Sequence, residues 1–355
     1  MKVLVAMSGG VDSSVAAARL VDAGHDVVGV TMKLWGGESD TGCCSVSDVD
    51  DARRVAQQLG IAHHTWTFTD DFEHHVVDPY VDAHLAGRTP NPCIECNRHL
   101  KFDRLLHRAT AVGFDAIATG HHARVVRRPD GSRRLARGAD AAKDQSYVLY
   151  VLGQAELART LLSVGELTKD EVRAEADRRR LRTADKPDSQ EVCFITSVGG
   201  RRDFLARRVG LRQGRVVDDA GEVGKVDAVE LVTVGQRRGL GLAGGGAARY
   251  VVDVDVPAAT VRVGSAAQLQ CEGLELERMV WAAGAVRGPL LAQCSAHGQA
   301  RPAHVEPIGA GRARVAFTEP QRRVAPGQSV VLYEEDQVVG GGLVPGRIGK
   351  ASSHA

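Results

Sequence analysis

Residues 3–14 read Val-Leu-Val-Ala-Met-Ser-Gly-Gly-Val-Asp-Ser-Ser. The apolar run at the start of this stretch is short and ends at a glycine pair, which predicts a buried strand, a tight turn and then a helix. Paired glycines let a ligand approach the backbone, and amide N–H groups at a helix N-terminus favour an anion there. A Ser/Gly/Asp turn that only caps the helix is the alternative.

The position of this turn favours ligand binding. It follows the first predicted strand, where open α/β sheets bind their ligands, and it lacks the Lys-Ser/Thr ending of a Walker loop. The sequence Ser-Gly-Gly-Val-Asp-Ser-Ser at 8–14 instead resembles the pyrophosphate loop of the ATP-pyrophosphatase superfamily. Members of that superfamily use ATP to adenylate a carbonyl oxygen and release pyrophosphate.

Length and composition set the broad class. A chain of 355 residues predicts two or three domains, and 43% hydrophobic residues favour packed domains over disorder. No stretch approaches the roughly 20 apolar residues of a membrane span, and the N-terminus does not resemble a signal peptide, so we expect a cytoplasmic protein without membrane association. A net charge of +1 neither requires nor excludes nucleic acid. Arginine clusters at 127–134 and 201–208 could contact phosphates or face solvent.

Seven cysteines occur in the chain, at positions 43, 44, 93, 96, 193, 271 and 294. An odd number in such a protein favours reactive or metal-binding thiols over a disulfide framework. A Pro-Asn-Pro segment precedes a helix predicted from Arg98, so Cys96 should lie near the positive end of that helix, where a thiol pKa falls. The Cys93–Cys96 spacing would also suit a surface pair or half of a zinc site, and Cys193 a buried apolar position.

Strand and helix signals alternate along the first half of the chain. Apolar runs and helical spacing predict strands at 26–32, 61–68 and 114–119, and helices at 49–59, at 72–85 with an interruption near Pro79, and at 98–112. This order predicts an α/β fold with a doubly wound parallel sheet. Short arginine-rich segments around residues 129–131 suggest a surface hairpin.

After about Gly199 glycines multiply and short valine-rich runs replace helical spacing, which predicts β structure. Runs at 251–256 and 260–263 suggest one small β unit, and the segment 274–343 suggests a small barrel; Gly244–Gly246 predicts a loop. The predicted domains are an ATP-pyrophosphatase type domain at 1–199, a small central β domain at 200–268 and a C-terminal β-barrel at 269–345, followed by a flexible tail at 346–355.

A series of motifs marks a particular family. In chain order they are SGGVDSS at 8–14, GCCS at 42–45, GRTPNPCIECNRHLKF at 87–102, ATGHHAR at 118–124, KDQSYVL at 143–149, DKPDSQEVCFI at 185–195, VGQRRGLGL at 234–242, APGQSVVLY at 325–333 and GGGL at 340–343. Together they resemble the bacterial tRNA-uridine 2-sulfurtransferases, also called tRNA-specific 2-thiouridylases. The resemblance covers residues 2–343, nearly the whole chain.

This resemblance implies a fold and a reaction. An ATP-pyrophosphatase domain, a small central β domain and a C-terminal β-barrel would together grip the anticodon arm of a tRNA. The enzyme would replace the C2 oxygen of the wobble uridine with sulfur and consume ATP. A flipped target base suits an anticodon loop, since its unstacked bases cost little to extrude.

The resemblance also implies roles for individual residues. Cys193 would carry a persulfide loaded by a cysteine desulfurase or a sulfur-relay protein, and Cys96 would be the second catalytic cysteine, so that a Cys96–Cys193 disulfide remains after turnover. Asp12 would help to place Mg²⁺. ATP would be held by Ala6, Met7, Ser8, Gly9, Gly10, Val11, Asp12, Ser13, Met32 and Gly120. The target base would be bordered by Asn91, Pro92 and Cys93, and the tRNA contacted by His121, Lys143, Asp144, Gln145 and Gln328.

The chain departs from the family pattern at several positions. Many members have aspartate in place of Cys93 and use it in acid/base work, whereas several others have cysteine. In the β domains, Asp227, Ala228, Val232 and Ser295 replace the usual residues. These replacements weaken the assignment of tRNA contacts to the β domains and leave the catalytic domain unaffected.

Three alternatives remain open from the sequence. Another ATP-pyrophosphatase, such as an amide or guanidino ligase, would need no paired cysteines. A nonenzymatic RNA-binding thiol sensor would show no tRNA-dependent ATP consumption. Within the thiolation reaction itself, Cys93, Cys96 and Cys193 could hold three irons of a four-iron cluster and leave the fourth iron open for sulfide.

Overall fold

The structure is a computed structural model that describes residues 1–35, 45–188, 192–195, 199–243 and 246–346. Several of the sequence motifs therefore lie partly or wholly outside the described residues. They are Cys43 and Cys44 of the GCCS motif, residues 189–191 just before Cys193, two of the three glycines at 244–246, and most of the tail.

The helices and strands alternate as predicted in the first half, and strands dominate the second. The helices are α1 (Val11–Asp22), α2 (Val46–Leu59), α3 (Thr69–Phe72, π-helical Glu73–Val77 and Asp78–Leu85), α4 (Pro92–Glu95, π-helical Cys96–Arg104 and Leu105–Ala111), α5 (Ser146–Leu149), α6 (Gln154–Ala158), α7 (Lys169–Arg178) and α8 (Gly200–Ala206). Short 3₁₀ turns lie at Val229–Leu231 and Ala267–Leu269.

The strands form three sheets. They are β1 (Lys2–Ala6), β2 (Asp26–Lys33), β3 (Ala62–Thr67), β4 (Ala116–Ala118), β5 (Ala123–Arg127), β6 (Arg133–Arg137), β7 (Thr160–Leu161), β8 (Gly214–Asp218), β9 (Gly221–Val226), β10 (Tyr250–Asp255), β11 (Thr260–Gly264), β12 (Gln270–Trp281), β13 (Gly288–Gln293), β14 (Arg301–Gly309), β15 (Arg312–Arg322), β16 (Ser329–Glu334) and β17 (Gln337–Leu343).

The N-terminal sheet is parallel and has the order β3-β2-β1-β4-β7. Its central strand β1 is buried on both faces. Val3 and Val5 pack in one core with α1, α2 and α7, while Leu4 packs in another with α3 and α4. The doubly wound fold is thereby confirmed. Strand order reverses between β1 and β4, and a ligand crevice is expected where the carboxyl ends of these two strands diverge.

Two helices differ from their predicted bounds. Helix α3 begins at Thr69 and continues past Pro79 because a π-helical segment directly precedes it; the changed hydrogen-bond pattern accommodates a residue that has no N–H. Helix α4 begins at Pro92, well before the predicted Arg98, because Asn91 caps it by accepting the N–H of Cys93 at 3.1 Å.

The earlier start of α4 corrects the expected position of Cys96. This residue opens the π-helical segment in the second turn, so it does not lie at the N-terminal end of the helix. Cys93 occupies the first turn instead. Among the helices that the structure describes, none has the length and apolar character that crossing a membrane requires.

The β half contains a four-stranded sheet of order β10-β11-β8-β9 and a barrel of β12–β17 that closes by pairing of β12 with β17. The β5–β6 hairpin predicted around residues 129–131 is present, and Gln337 of β17 pairs with Ala136 of β6. The N-terminal half thus adds a hairpin to the barrel sheet.

Two arginines of this hairpin form ion pairs with the barrel. Arg128 and Arg134 both pair with Glu334, at 3.3 and 2.6 Å. In the second arginine cluster, Arg208 pairs with Glu73 and its guanidinium lies 5.4 Å from the centre of the Trp35 ring. Arg128, Arg134 and Arg208 are therefore engaged within the protein.

Candidate active site

One cavity of about 860 Å³ opens at the carboxyl ends of the central parallel strands. It is lined by residues to which the family resemblance gave three different roles: nucleotide binding, binding of the target base and tRNA, and sulfur transfer. From the nucleotide set it is lined by Ala6, Met7, Ser8, Asp12, Ser13, Met32 and Gly120. From the base, tRNA and sulfur sets it is lined by Pro92, Cys93, Cys96, His121, Gln145 and Cys193.

The loop between β1 and α1 has the geometry of an anion cradle. Gly9 has a φ of +71°, which only glycine adopts without strain. Gly10 precedes α1 without any side-chain cap, so the first turn of this helix keeps its N-terminal amides for a ligand. The end of β4 packs directly on this turn: a Cβ on Gly120 would lie 2.5 Å from the Ser13 nitrogen.

Asp12 belongs to a buried charge network. Lys169 Nζ lies 2.7 Å from Asp12 Oδ1 and 2.8 Å from Asp188 Oδ1, and so bridges the two carboxylates. His122 Nε2 lies 3.0 Å from the same Asp12 oxygen. Burial alone would raise the pKa of Asp12, but hydrogen bonds from His122 and Lys169 hold it below its usual value. Asp12 is therefore a carboxylate at neutral pH.

Asp188 connects this network to the segment that leads to Cys193. It accepts hydrogen bonds from Lys143 at 2.8 Å and Arg173 at 2.9 Å in addition to its pairing with Lys169. Burial opposes ionisation here too, but hydrogen bonds from Lys143 and Lys169 lower the pKa of Asp188 to about 2. Sequence reasoning did not single out Lys169 or Asp188, although Asp188 lies within one of the quoted motifs.

The three site cysteines differ in exposure. Cys93 is exposed, Cys96 is buried, and Cys193 is half-buried. Cys96 and Cys193 line the same cavity although they are far apart in the sequence. Cys193 is anchored by its neighbour Phe194, whose ring packs against the rings of Phe72 at 5.7 Å, Tyr80 at 5.4 Å and Phe204 at 4.9 Å.

The π-helical segment of α4 faces the cavity with Cys96, Asn97 and Lys101. A π-helix bonds residue i to residue i+5, so positions 96 and 101 come near the same face, as is frequent at functional sites. Lys101 Nζ lies 3.4 Å from His121 Nε2, and His121 Nδ1 lies 2.7 Å from the Thr119 hydroxyl. Burial and the Lys101 ammonium lower the pKa of His121 well below its usual value, so this imidazole is neutral.

Several predicted site residues lie outside the cavity lining. Lys143 contacts Asp188, and Asp144 accepts hydrogen bonds from Arg137 and Ser146, both at 2.8 Å. Gln328 donates to the Thr89 carbonyl at 2.6 Å, next to the Pro-Asn-Pro segment. Asn91 caps α4, Gly9 and Gly10 form the loop after β1, and Val11 is the first residue of α1. Their ligand contacts stay predictions.

The His, Cys, Asp and Glu side chains around the cavity determine which kind of metal ion the site could bind. Among the described residues no group of three or more His, Cys, Asp or Glu side chains is arranged to hold a metal ion. Asp12 and Asp188 both line the cavity, but Lys169 pairs with each of them. This arrangement fits a Mg²⁺ ion that takes most of its ligands from phosphate and water and only one or two carboxylates from the protein.

The two loop glycines give a matched test of the anion cradle. A Cβ on Gly10 would meet only Ser8 Oγ at 3.5 Å, whereas a Cβ on Gly9 would collide with the Asp48 backbone. We expect Gly10→Ala to fold normally and to bind ATP at least roughly tenfold more weakly, because the methyl group occupies phosphate space. Gly9→Ala should also lower the thermal midpoint. Wild-type affinity of Gly10→Ala in calorimetry would contradict the cradle.

The low pKa of Asp188 predicts a pH-dependent contribution to stability. An aspartate whose folded pKa is about 2, against an ordinary value of 3.8, stabilises the fold above about pH 4 and loses that effect as the pH falls toward 2. We expect Lys143→Met to destabilise by about 0.5–1 kcal/mol at pH 7, because the pair is partly exposed, and by less near pH 3. Thermal midpoints across pH measure this, with Lys225→Met as the control for an exposed lysine. A destabilisation independent of pH would contradict the assignment.

Three models of known protein families match successive segments of the chain. Residues 1–197 match the model for a tRNA methyl transferase HUP domain, residues 202–265 that for a tRNA methyl transferase PRC-barrel domain, and residues 272–344 that for an aminomethyltransferase beta-barrel domain. Among solved structures, the U34-tRNA thiolase NcsA from Methanococcus maripaludis with its 4Fe-4S cluster is 17% identical with a TM-score of 0.36, over 58% of this chain and 63% of that chain. Similarity this low says nothing of function.

Curated relatives are similar over nearly their whole length. The tRNA-specific 2-thiouridylase MnmA of Mycobacteroides abscessus is 49% identical over 360 residues, covering 97% of this chain and 99% of that protein. The protein of the same name from Carboxydothermus hydrogenoformans is 47% identical over 360 residues, covering 98% of each. Given this identity, and a cavity that joins the loop after β1 to the cysteines of both motifs, the chain belongs to the tRNA-specific 2-thiouridylase family, a family of sulfurtransferase enzymes.

Proposed function

We propose that this protein replaces the C2 oxygen of the wobble uridine of tRNA with sulfur, using ATP to activate the oxygen and a persulfide on Cys193 to supply the sulfur. The observation that carries the proposal is the single cavity, which holds the loop after β1 at one part of its wall and Cys96 and Cys193 at another. A ligase that forms amide or guanidino bonds would have no use for the two thiols.

The nucleotide step activates a poor leaving group. The C2 carbonyl of uridine is urea-like, so its oxygen leaves only after it has been converted into an ester of AMP. When O2 attacks the α-phosphorus, pyrophosphate departs and C2–N3 gains double-bond character. With N3 still protonated the activated base is a cation, whose C2 is open to attack by sulfur. The amides at the start of α1 would bind the phosphates of ATP, and the ammonium groups of Lys169 and Lys143 add positive charge at the Asp188 side of the site. Asp12 would offer its carboxylate to Mg²⁺ bound with ATP, and that ion would supply positive charge to neutralise the phosphates.

The sulfur step conserves atoms and electrons. The terminal sulfur of the Cys193 persulfide attacks C2, loses its proton, and AMP departs with the former C2 oxygen. The Cys96 thiolate then attacks the Cys193 sulfur, which releases the other sulfur as the C2 thiocarbonyl and leaves a Cys96–Cys193 disulfide. Alternatively Cys96 attacks first and frees hydrosulfide, which attacks C2. Both orders end in the same disulfide, which a cellular thiol must reduce before the next turnover.

The exposure of the cysteines suits these roles. Cys193 is half-buried, so a cysteine desulfurase or a sulfur-relay protein could reach it to load the persulfide. Cys96 is buried in the cavity wall, where its thiol is shielded from other disulfide partners. The substrate would be the anticodon arm of a tRNA whose wobble base enters the cavity. The cytoplasmic location of the protein stays a prediction.

The two-cysteine mechanism makes a prediction about separate steps. Cys193→Ser should still form AMP-activated tRNA, because that step needs only ATP, Mg²⁺ and the uridine oxygen, and it should transfer no sulfur. After one turnover without reductant, wild-type protein should contain a Cys96–Cys193 disulfide, which requires Cα atoms within about 7 Å in that state. Peptide mapping under nonreducing conditions detects it. Two free thiols after stoichiometric thiolation would exclude the disulfide route.

Cys93 gives a prediction about iron. Cys93 is exposed and lies in the first turn of α4, and we expect it to act as a thiol in place of the acid/base carboxylate that the family resemblance implies at this position. Cys93→Asp should then keep thiolation within about tenfold of wild type and contain no iron after anaerobic purification, since carboxylate suits acid/base work and is a poor ligand for a thiolate-held cluster. Simultaneous loss of activity and of wild-type iron would support a cluster.

A further inference from the structure

Asn97 combines deep burial with an unused hydrogen-bonding atom. Its side chain lies on the π-helical segment of α4, is only 2% exposed, and lines the cavity. Its Nδ2 donates to the Val148 carbonyl at 3.0 Å, whereas its Oδ1 has no hydrogen-bond partner among the described residues. Buried side-chain oxygens are usually bonded, so an open acceptor in the wall of a ligand cavity indicates that a ligand supplies the donor.

The bond to Val148 fixes what this group can recognise. A carbonyl oxygen accepts only, so it must face the amide nitrogen of Asn97, and the amide cannot flip without losing that bond. Oδ1 is thereby held as an acceptor. A ligand that satisfies it must present an N–H or O–H group.

The chain position of Asn97 indicates which part of the substrate it meets. Asn97 directly follows Cys96, and both face the cavity. In the proposed function, which this inference rests on, Cys96 attacks the Cys193 sulfur, which is bonded to the sulfur that C2 of the target uracil receives. C2 is bonded to two ring nitrogens: N1, which carries the ribose, and N3, which carries the only N–H on the Watson–Crick edge of uracil. This N–H is available in a base extruded from a single-stranded loop.

We propose that Asn97 is the residue that selects uracil, by accepting the N3–H of the flipped base on Oδ1. Cytosine has a lone pair at N3 and would place one acceptor against another. The site would therefore reject cytosine at the position next to the reacting carbon, in addition to any contact at the C4 substituent. Binding of uracil would satisfy the oxygen that is otherwise left unpaired.

The test compares target bases in otherwise identical tRNAs that carry uridine, 3-methyluridine or cytidine at the wobble position. Wild type should thiolate uridine and discriminate against 3-methyluridine, in which a methyl group replaces the N3 hydrogen. Asn97→Ala removes the acceptor and makes room for the methyl group. The ratio of kcat/KM for uridine to that for 3-methyluridine should fall by about 10- to 100-fold in this variant, and binding of the cytidine tRNA should approach that of the uridine tRNA.

Two further variants separate recognition from a structural role. Asn97→Leu has a similar volume without polar atoms, and it should lose kcat/KM for uridine while the KM for ATP stays within about twofold. Thr183→Val is the matched control, because Thr183 Oγ1 is also buried without a partner in the described part of the chain but does not line the cavity. It should leave every base ratio unchanged.

Each outcome bears on a defined claim. A uridine to 3-methyluridine ratio that stays at the wild-type value in Asn97→Ala would overturn the proposal, and so would a raised KM for ATP with unchanged base ratios, since Asn97 would then contact the nucleotide. Unchanged base ratios with a lowered thermal midpoint would likewise overturn it in favour of a packing role. Failure of wild type to thiolate uridine at all would instead refute the proposed function.

Discussion

The ammonium of Lys169 joins the parts of this site. Its side chain is 10% exposed and lies between Asp12, at the start of α1, and Asp188, on the segment that leads to Cys193. A buried charge is costly without partners, and two carboxylates would repel each other without the cation between them. The loop after β1, the start of α7 and the segment that leads to Cys193 are therefore fixed relative to one another by one charged group.

The sequence predicted those parts of the fold that local chemistry determines. The glycine pair after β1, the glycine that ends α2 and the valine-rich runs of β10 and β11 all form the elements expected of them. The start of α4 was predicted wrongly because Asn91 has two possible roles, as a turn residue and as a helix cap, and spacing alone does not separate them. The junction of β6 with β17 depends on pairing between distant residues, which no local pattern encodes.

The same distinction applies to the site. Residues within motifs, such as Cys96, Cys193 and Gly120, come together in one cavity as the family resemblance implies. Lys169 and Lys101 were missed because a lysine at the start of a helix or in its middle is ordinary on a protein surface. Only the fold shows that one is buried between carboxylates and that the other contacts a neutral histidine. The orientation of Asn97 likewise depends on the Val148 carbonyl of a separate helix.

The hairpin of β5 and β6 has a consequence for dissecting this molecule. It belongs to the N-terminal half by sequence and to the barrel by hydrogen bonding, and Glu334 of β16 holds two of its arginines. A fragment that ends near residue 200 would present β6 as an open edge with unpaired backbone groups, the kind of edge on which chains self-associate. Isolated halves should therefore behave differently from the whole chain, and the unit of folding here is larger than any one of the three segments that match separate family models.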